Sequence, residues 1–310
     1  MIDSAVQWET CLTREVTILR ADLRSVTFVT LELLNRCFSA MSEIIFRHRG
    51  RIDKFTGDSL LVLFESEDSP VDGVRHAVSC AVDMQQAMAG LNAEHKARGL
   101  AALYFGIGIN TGRVLSTKLG ADLYSEYDGI GDEVNLASRI ESFSLRGQVL
   151  LSESAFKRCG GYVKAGEPMD VFVKGKSRLV SLREVVAIPS LMKVVPQQDD
   201  RRSPRANSAI PFSYRMVVNG IAVPEPRQGT IIDIGYHGAL CEIALAISQA
   251  SKLQLRFDLP LVDERFHDLG GKAVKVMKKK DRTRVGIEFG RMTSQQKAAI
   301  QRYVQLLIQP

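Results

Sequence analysis

Cysteine is scarce in this chain of 310 residues, which holds five widely spaced cysteines, an odd number, and has no CxxC pair. Neither a disulfide framework nor a zinc site is therefore indicated, and a reducing, cytoplasmic location fits best. Long apolar runs are also lacking, since none approaches the ~20 residues that a membrane-spanning helix needs. The first ten residues, MIDSAVQWET, lack the basic and apolar regions of a secretory signal. We therefore expect no membrane span.

Strong compositional bias is absent as well. The hydrophobic share of 45% and the charged share of 25% are those of globular domains, which excludes a disordered or fibrous chain. A length of 310 residues is about twice the commonest domain size, so we expect two domains. Residues 200–310 hold 18 Lys and Arg against 10 Asp and Glu, whereas the remainder holds 23 against 25. The basic excess suits an anionic partner such as a phosphodiester ligand or a nucleic acid, and it equally suits a solvated basic surface.

The stretch RIDKFTGDSLLVLF, residues 51–64, predicts a hairpin because apolar and polar residues roughly alternate on either side of a Thr-Gly-Asp turn. Gly57 suits this turn, since a residue without Cβ readily adopts a positive φ. We expect the hairpin to present the Asp58 carboxylate at its exposed tip beside the Lys54 ammonium. Taken alone, such a tip is equally well a solvated charge pair without a role.

The segments around this hairpin predict an α+β first domain. Residues 15–23 are typical of a buried strand, and Asp22 at its end has little reason to be there unless it meets solvent or a ligand. A helix with one core-facing stripe should follow and end before Gly50. A second helix should begin at Ser69 and Pro70, which form the usual start signal. The residues of the predicted stripe are Phe28, Leu31, Leu34, Phe38, Met41 and Ile45.

The middle of the chain predicts a strand followed by a helix with polar residues on one face. Gly106 and Gly108, within a predicted strand at 103–114, leave room for a close backbone or ligand approach. The segment YSEYDGIGDEVNLASRIESF places Asp128 in a loop before a helix that has acid in its first turn. Asn135 and Arg139 are four residues apart, so their amide and guanidinium groups share one helix face.

The second half of the chain predicts a separate small barrel. Strands at 149–151 and 171–186 complete the first domain, and the periodicity then fades. Short strands without intervening helices follow, and a closing helix is predicted at 294–308, a pattern that is typical of a small all-β barrel with a C-terminal helix. The expected organisation is an N-terminal segment at 1–14, a first domain at 15–186, a linker at 187–199 and a second domain at 200–310.

The polar residues of the first domain suit phosphoryl transfer. Carboxylates at strand ends are hard oxygen ligands for Mg²⁺ or Mn²⁺, and two ions ~3.5–4 Å apart stabilise the attacking and leaving oxygens of an in-line displacement. The segments ILRADLRSVT, KFTGDSLLVLF and YDGIGDEVNLASR resemble, in order and spacing, the three signature segments of class III nucleotidyl cyclase catalytic domains. This resemblance runs from about residue 15 to residue 186 and implies a ferredoxin-like fold.

The resemblance gives the polar residues their roles. It implies that Asp22 and Asp58 bind two Mg²⁺ or Mn²⁺ ions per active site. Asn135 would orient the ribose, and Arg139 would be the transition-state arginine, a role that suits a planar guanidinium. In this family the metal site of one active site comes from one subunit, and its purine and arginine positions come from the other. A single copy of each segment therefore implies a head-to-tail homodimer, whose monomer should be inactive.

The resemblance makes Lys54 and Asp128 the purine-recognising pair. Lysine offers donors and aspartate offers acceptors, so the pair complements adenine, whose N1 accepts and whose N6 amine donates. Guanylate-forming members typically carry Glu and Cys at these places, so we expect ATP as the substrate. The family's basic turn corresponds to Lys174 or Lys176, which we expect to contact the β- and γ-phosphates. The implied products are 3′,5′-cyclic AMP and pyrophosphate.

The second domain is similar to another family. RRSPR followed by DIGYHG resembles the paired signatures R-x-x-x-R and D/N-x-S-x-x-G of PilZ domains, six-stranded barrels that commonly bind cyclic di-GMP. The arginines would clamp phosphates and stack on guanine, and the glycines would let the ligand lie against the barrel. Glycine stands where the family usually has serine, so one hydroxyl contact is missing. The residues implied in cyclic di-GMP binding are Arg201, Arg205, Asp233, Gly235 and Gly238.

These expectations favour a cytoplasmic, homodimeric adenylate cyclase whose PilZ domain adjusts cyclic AMP output. We expect no nucleic-acid partner, since no aromatic residues interleave with the three lysines at 278–280. Two alternatives stay open. In the first, a catalytically inactive cyclase fold serves as a dimerisation scaffold, and the barrel binds cyclic di-GMP or another protein. In the second, the chain is a diguanylate cyclase, although it has no GGDEF or GGEEF sequence.

Overall fold

A computed structural model of the chain describes residues 12–24, 31–65, 69–116, 132–197, 203–245, 247–278 and 282–309. The chain divides into two compact units. The first contains Met1–Asp170 and Leu179–Asp200, and the second contains Val171–Arg178 and Arg201–Pro310. The short segment Val171–Arg178 groups with the second unit because its backbone is hydrogen-bonded to the last helix of that unit. The domain boundaries expected from the sequence stay a prediction.

The first unit has a mixed sheet in the order β2-β3-β1-β4-β5-β8-β6, with β7 and β9 also paired to β8. β4 and β5 run parallel, whereas β1 is antiparallel to both of its neighbours. The strands are β1 (Leu12–Arg24), β2 (Arg51–Thr56), β3 (Ser59–Glu65), β4 (Tyr104–Ser116), β5 (Val149–Ser152), β6 (Lys164–Ala165), β7 (Met169–Val171), β8 (Val180–Ile188) and β9 (Lys193–Val194). The helices are α1 (Leu31–Arg47), α2 (Pro70–Ala97), α3 (Asp132–Phe143) and α4 (Glu153–Cys159).

Local signals in the sequence set several of these elements. Gly57 has a φ of +62°, and Thr56 pairs with Ser59 across the turn, which confirms the predicted hairpin. Helix α2 begins as predicted, because the Ser69 side chain accepts a hydrogen bond from the backbone N–H of Val71. No helix of the described part of the chain is long and apolar enough to cross a membrane.

The core-facing stripe predicted for α1 is wrong in part. Met41 and Ile45 are fully buried, and two further members of the stripe pack against the core from partly buried positions. Leu31, by contrast, is 74% exposed. It is the first residue of α1, so it lies beyond the turns of the helix that cover the sheet. Phe28 lies outside the described residues.

The predicted linker region begins with regular structure. β8 extends to Ile188, a single turn of 3-10 helix follows at Pro189–Leu191, and β9 pairs back onto β8. Lys193 Nζ lies 2.5 Å from Asp83 Oδ1 of α2, so β9 is tied to the first unit.

The second unit is a closed six-stranded barrel, as the sequence predicts. Its ring of strands is β10-β12-β13-β16-β15-β14, closed by the pairing of β14 with β10, and β11 pairs with β10 outside the ring. Helix α5 starts at a capping box built by Thr293 and Gln296. The elements are β10 (Arg205–Val218), β11 (Ile221–Ala222), β12 (Arg227–Gly235), β13 (Gly238–Ile243), β14 (Lys252–Leu259), β15 (Glu264–Lys278), β16 (Thr283–Phe289) and α5 (Ser294–Leu307).

Candidate active site and ligand site

Asp22 and Asp58 come together where β1 ends and the β2–β3 hairpin turns. Asp22 pairs across the sheet with Ser59, the residue that follows Asp58. The backbone N–H of Leu23 donates to the backbone oxygen of Asp58 at 3.2 Å. The two predicted metal ligands are therefore neighbours within one chain, Asp22 near the end of β1 and Asp58 in the turn before the adjacent strand β3.

The electrostatics of this pair are unfavourable for two negative charges. Burial raises the pKa of Asp22 above its usual range, and the Asp58 carboxylate adds to that rise. The Ser59 hydroxyl, which donates to Asp22 Oδ1 at 2.5 Å, and the Arg24 guanidinium oppose it. The net shift is upward, so the effect of burial on the pKa of Asp22 outweighs that of the hydrogen bond and the nearby guanidinium.

A divalent cation fits this donor set. Two carboxylates are hard oxygen donors, and Mg²⁺ is commonly held by one or two carboxylates together with substrate phosphates. Within the described ranges, no cluster of three or more His, Cys, Asp or Glu side chains is placed to hold a metal ion. The protein ligands would thus be Asp22 and Asp58, and phosphate oxygens and water would supply the rest.

Arg24 joins the carboxylate pair to helix α3. Its Nη1 lies 3.6 Å from Asp22 Oδ2, and its Nη2 donates to the Glu141 carboxylate and, at 2.7 Å, to the Glu141 backbone oxygen. Burial raises the pKa of Glu141 to about 7, against the opposing effect of Arg24. Sequence reasoning missed both residues. The available signal was that Arg24 comes two residues after Asp22, because residues two apart in a strand share one face of the sheet.

Helix α3 packs directly against β4 at Gly108, a residue without a side chain. A Cβ at Gly108 would lie 2.3 Å from the backbone N of Glu141, so this glycine allows the helix to approach the strand directly. The close backbone approach predicted for Gly108 is thus confirmed. At the start of the helix, Asn110 Nδ2 donates to the Glu133 carboxylate at 2.6 Å and to the Glu133 backbone oxygen at 3.1 Å.

Asn135 and Arg139 lie on α3, one turn apart, as the sequence predicts. Asn135 is exposed and Arg139 is half-buried. They belong to a different element from the carboxylate pair. The residues expected to act on the ribose and the transition state are therefore carried by a helix that polar contacts fix to the sheet near both ends.

The structure describes only one residue of the predicted purine pair, Lys54. Lys54 is exposed on β2 and pairs with Leu61 of β3, just after an irregularity in the strand register. Asp128 lies outside the described residues. Purine recognition by this pair stays a prediction.

Lys174 and Lys176 flank Gly175 in a tight turn, which the sequence predicts. Gly175 has a φ of +77°, and the backbone N–H of Lys176 donates to the backbone oxygen of Val173 at 3.0 Å. Lys174 is exposed and Lys176 is half-buried.

In the second unit, Arg205 lies across the DIGYHG loop. Its Nε donates to Asp233 Oδ1 at 2.5 Å. Arg205 also pairs across the strands with Gly235, where an added Cβ would lie 2.9 Å from Arg205 Cγ. The arginine therefore covers the position at which PilZ domains usually have serine. Arg201 lies outside the described residues.

Gly238 has a structural reason to lack a side chain. A Cβ at this position would lie 2.3 Å from the backbone oxygen of Ile287, on the neighbouring strand β16. The glycine is therefore needed for strand packing, and its contact with a ligand stays a prediction.

Curated relatives of this chain include two adenylate cyclases. Adenylate cyclase 1 of Rhizobium meliloti (strain 1021) is 28% identical over 185 residues, which cover 56% of this chain and 28% of that protein. The adenylate cyclase of Anabaena cylindrica is 32% identical over 192 residues, which cover 56% of this chain and 37% of that protein. The chain therefore matches well under half of the length of either relative.

Solved structures with a similar fold include cyclases named for both purines. The guanylyl cyclase Cya2 matches with a TM-score of 0.54 and 34% identity over 59% of this chain and 98% of its own. The adenylyl cyclase CyaB from P. aeruginosa matches with a TM-score of 0.53 and 31% identity over 63% of this chain and 98% of its own.

Family models match both parts of the chain. The adenylate and guanylate cyclase catalytic domain matches residues 14–183, and the PilZ domain matches residues 199–306. The first match covers more than half of the chain, and the fold agrees with it. The protein belongs to the family of adenylate and guanylate cyclase catalytic domains and carries a C-terminal PilZ domain.

Proposed function

We propose that this protein is an adenylate cyclase that converts ATP to 3′,5′-cyclic AMP and pyrophosphate at the interface of a homodimer. The observation that carries the proposal is the adjacency of Asp22 and Asp58, two carboxylates that meet where β1 ends beside the β2–β3 turn. The similarity to adenylate cyclases of two organisms supports the assignment.

Asp22 and Asp58 would hold two Mg²⁺ or Mn²⁺ ions, which supply activation of the ribose 3′-oxygen and charge neutralisation for the leaving pyrophosphate. In the reaction the 3′-hydroxyl loses its proton to solvent and its oxygen bonds to the α-phosphorus, while the bond from that phosphorus to the pyrophosphate oxygen breaks and pyrophosphate leaves. Asn135 orients the ribose for this attack. Arg139 donates to the phosphate oxygens, on which negative charge grows in the transition state.

Lys54 and Asp128 would select adenine over guanine. The lysine donates to N1 and the aspartate accepts from the N6 amine, whereas guanine presents the opposite pattern at this edge. Because cyclases named for either purine resemble this chain, the substrate is tested by comparing turnover of ATP with turnover of GTP. The paired change Lys54→Glu and Asp128→Cys is expected to lower the preference for ATP.

The proposed homodimer rests on the resemblance to class III cyclases, in which the parts of one active site come from different subunits. Asp22 and Asp58 lie on the sheet of one chain, and Asn135 and Arg139 lie on a separate element, α3. In the proposed dimer, each active site takes its metal ligands from one copy and its ribose and transition-state residues from the other. A head-to-tail pair of identical chains then forms two equivalent sites.

The barrel is proposed to bind cyclic di-GMP and to adjust cyclic AMP output. Its match to the PilZ model and the position of Arg205 beside Asp233 support this assignment. Arg205 and Arg201 would bind the phosphates, while Asp233, Gly235 and Gly238 would line the site.

The catalytic proposal is tested by measuring cyclic AMP formed from ATP with Mn²⁺. Asp58→Ala and Arg139→Ala are each expected to lower the rate by about 10²-fold or more, because each removes charge stabilisation of the transition state. Glu43→Gln removes an exposed carboxylate of α1 and serves as the control. A wild-type protein that forms no cyclic AMP, or variants that match it, would leave the inactive scaffold as the better account.

A further inference from the structure

Two buried glutamines of α5 hold the backbone of the segment Val171–Arg178. Gln305 and Gln309 are 7% and 8% exposed. Gln305 Oε1 accepts from the backbone N–H of Phe172 at 2.9 Å, and Gln309 Oε1 accepts from that of Lys174 at 2.7 Å. Gln309 Nε2 also donates to the backbone oxygen of Phe172 at 2.9 Å. Both partners of each bond belong to the same compact unit.

These side-chain bonds supply what a neighbouring strand would otherwise supply. β7 ends at Val171, so the backbone groups of the next residues lie beyond its ladder. The two glutamines are four residues apart, so their side chains lie on the same face of α5. From there they reach Phe172 and Lys174, which are two residues apart in the segment. Each backbone group that loses its glutamine partner loses a hydrogen bond, so the conformation of this segment depends on α5.

A third residue of α5 supports the same segment. The Arg302 guanidinium lies 5.1 Å from the centroid of the Phe172 ring. This cation–π contact fixes the side chain of Phe172, while Gln305 and Gln309 fix its backbone. The segment that leads to Lys174 therefore starts at Phe172, whose side chain and backbone are both in contact with α5.

Gln305 also reaches the DIGYHG loop. Its Nε2 donates to the hydroxyl of Tyr236 at 3.0 Å, and Tyr236 directly follows Gly235 in that loop. Burial raises the pKa of the Tyr236 phenol, so the hydroxyl stays neutral at physiological pH. One amide side chain thus contacts the loop that resembles a cyclic di-GMP signature and the segment that resembles a phosphate-binding turn.

We propose that Gln305 and Gln309 are positioning residues for Lys174, and that Gln305 transmits the state of the DIGYHG loop to the Lys174 turn. The inference rests on the proposed function and on the sequence-based expectation that Lys174 contacts the β- and γ-phosphates of ATP. Neither glutamine touches substrate in this scheme. Each acts through the placement of the lysine, so its loss weakens ATP binding more than it slows the step at the α-phosphorus.

The kinetic test uses Gln309→Met, which keeps the shape of the side chain and removes its hydrogen bonds. We expect the KM for ATP to rise by about tenfold while kcat changes by less than about twofold. Combined with Lys174→Ala, the change should add nothing further, because both act through one contact. Gln301→Met, on the exposed face of α5, is the matched control. An unchanged KM, or losses that add, would overturn the positioning role.

A second test does not depend on activity. Hydrogen exchange of a peptide that spans residues 171–178 is measured by mass spectrometry in the full chain. Gln309→Met and Tyr236→Phe should each speed this exchange by about tenfold or more. Tyr303→Phe, which removes the hydroxyl of a buried tyrosine on α5 itself, should not. Equal exchange in Tyr236→Phe and wild type overturns the link through Gln305. If the wild type forms no cyclic AMP, the proposed function fails, and the exchange still decides the link.

Discussion

Arg24 donates to the backbone oxygen of Glu141 at 2.7 Å and pairs with its carboxylate, which connects the end of β1 to the last turn of α3. Burial raises the pKa of Glu141 from 4.5 to about 7. Between pH 4.5 and about pH 7, Glu141 keeps its proton in the folded protein and releases it in the unfolded chain. The stabilising effect of this group is therefore complete below pH 4.5 and is lost as the pH rises through about 7.

Glu141→Gln should remove this pH dependence. The glutamine cannot ionise, so the wild type should lose stability relative to the variant when the pH rises from about 5 to about 8. Thermal unfolding of both proteins at the two pH values measures the difference. Parallel pH profiles for wild type and variant would mean that Glu141 does not titrate as expected.

Ser59→Ala should weaken metal binding at the carboxylate pair. The Ser59 hydroxyl donates to Asp22 at 2.5 Å, which orients the carboxylate and favours its charged form. Loss of such a supporting bond raises the Mn²⁺ concentration for half-maximal activity by roughly tenfold. Ser208→Ala, which removes a hydroxyl that donates to the Ile231 backbone oxygen in the barrel, is the control. Equal metal dependence in the two variants would contradict the prediction.

Gly108→Ala should displace helix α3. The added Cβ would meet backbone atoms of Glu141 at 2.3 Å and 2.7 Å, and backbone atoms cannot give way as the end of a side chain can. We expect a loss of about 2 kcal/mol or more in the free energy of unfolding, together with a large loss of activity. Gly90→Ala, in open space within α2, should instead stabilise the protein by about 0.5–1 kcal/mol. Chemical denaturation of both variants tests the contrast.

Gly235→Ser should change cyclic di-GMP binding. A side chain at this position displaces the Arg205 stem, which lies 2.9 Å from the added Cβ, and so frees the guanidinium from Asp233. The serine also adds the hydroxyl that PilZ domains usually have. We expect the Kd for cyclic di-GMP, measured by calorimetry, to fall by about tenfold. Gly270→Ser, where the added side chain meets open space, is the control. An unchanged or higher Kd would contradict the role assigned to Gly235.

Elements set by local signals were predictable from the sequence. The Gly57 turn, the Ser69 cap of α2 and the alternation of the barrel strands each follow from neighbouring residues, and each is confirmed. The short helix α4 was not predicted, because its seven residues carry too little periodicity to stand out.

Contacts between distant residues were not predictable from spacing. Arg24 and Glu141 are 117 residues apart in the chain, and Phe172 and Gln305 are 133 residues apart. Gln305 and Gln309 are polar residues of an amphipathic helix, so pattern alone assigns them to the solvent face. They are buried in the folded structure, where the segment Val171–Arg178 is hydrogen-bonded to them.

The most direct test of the account mixes two inactive variants, Asp58→Ala and Arg139→Ala, and measures cyclic AMP formation after subunit exchange. If each active site draws its metal ligands and its arginine from different copies, a mixed dimer contains one intact site, and about a quarter of the wild-type activity should return. If the mixture stays as inactive as either variant alone, although mixed dimers have formed, the shared two-subunit site is wrong.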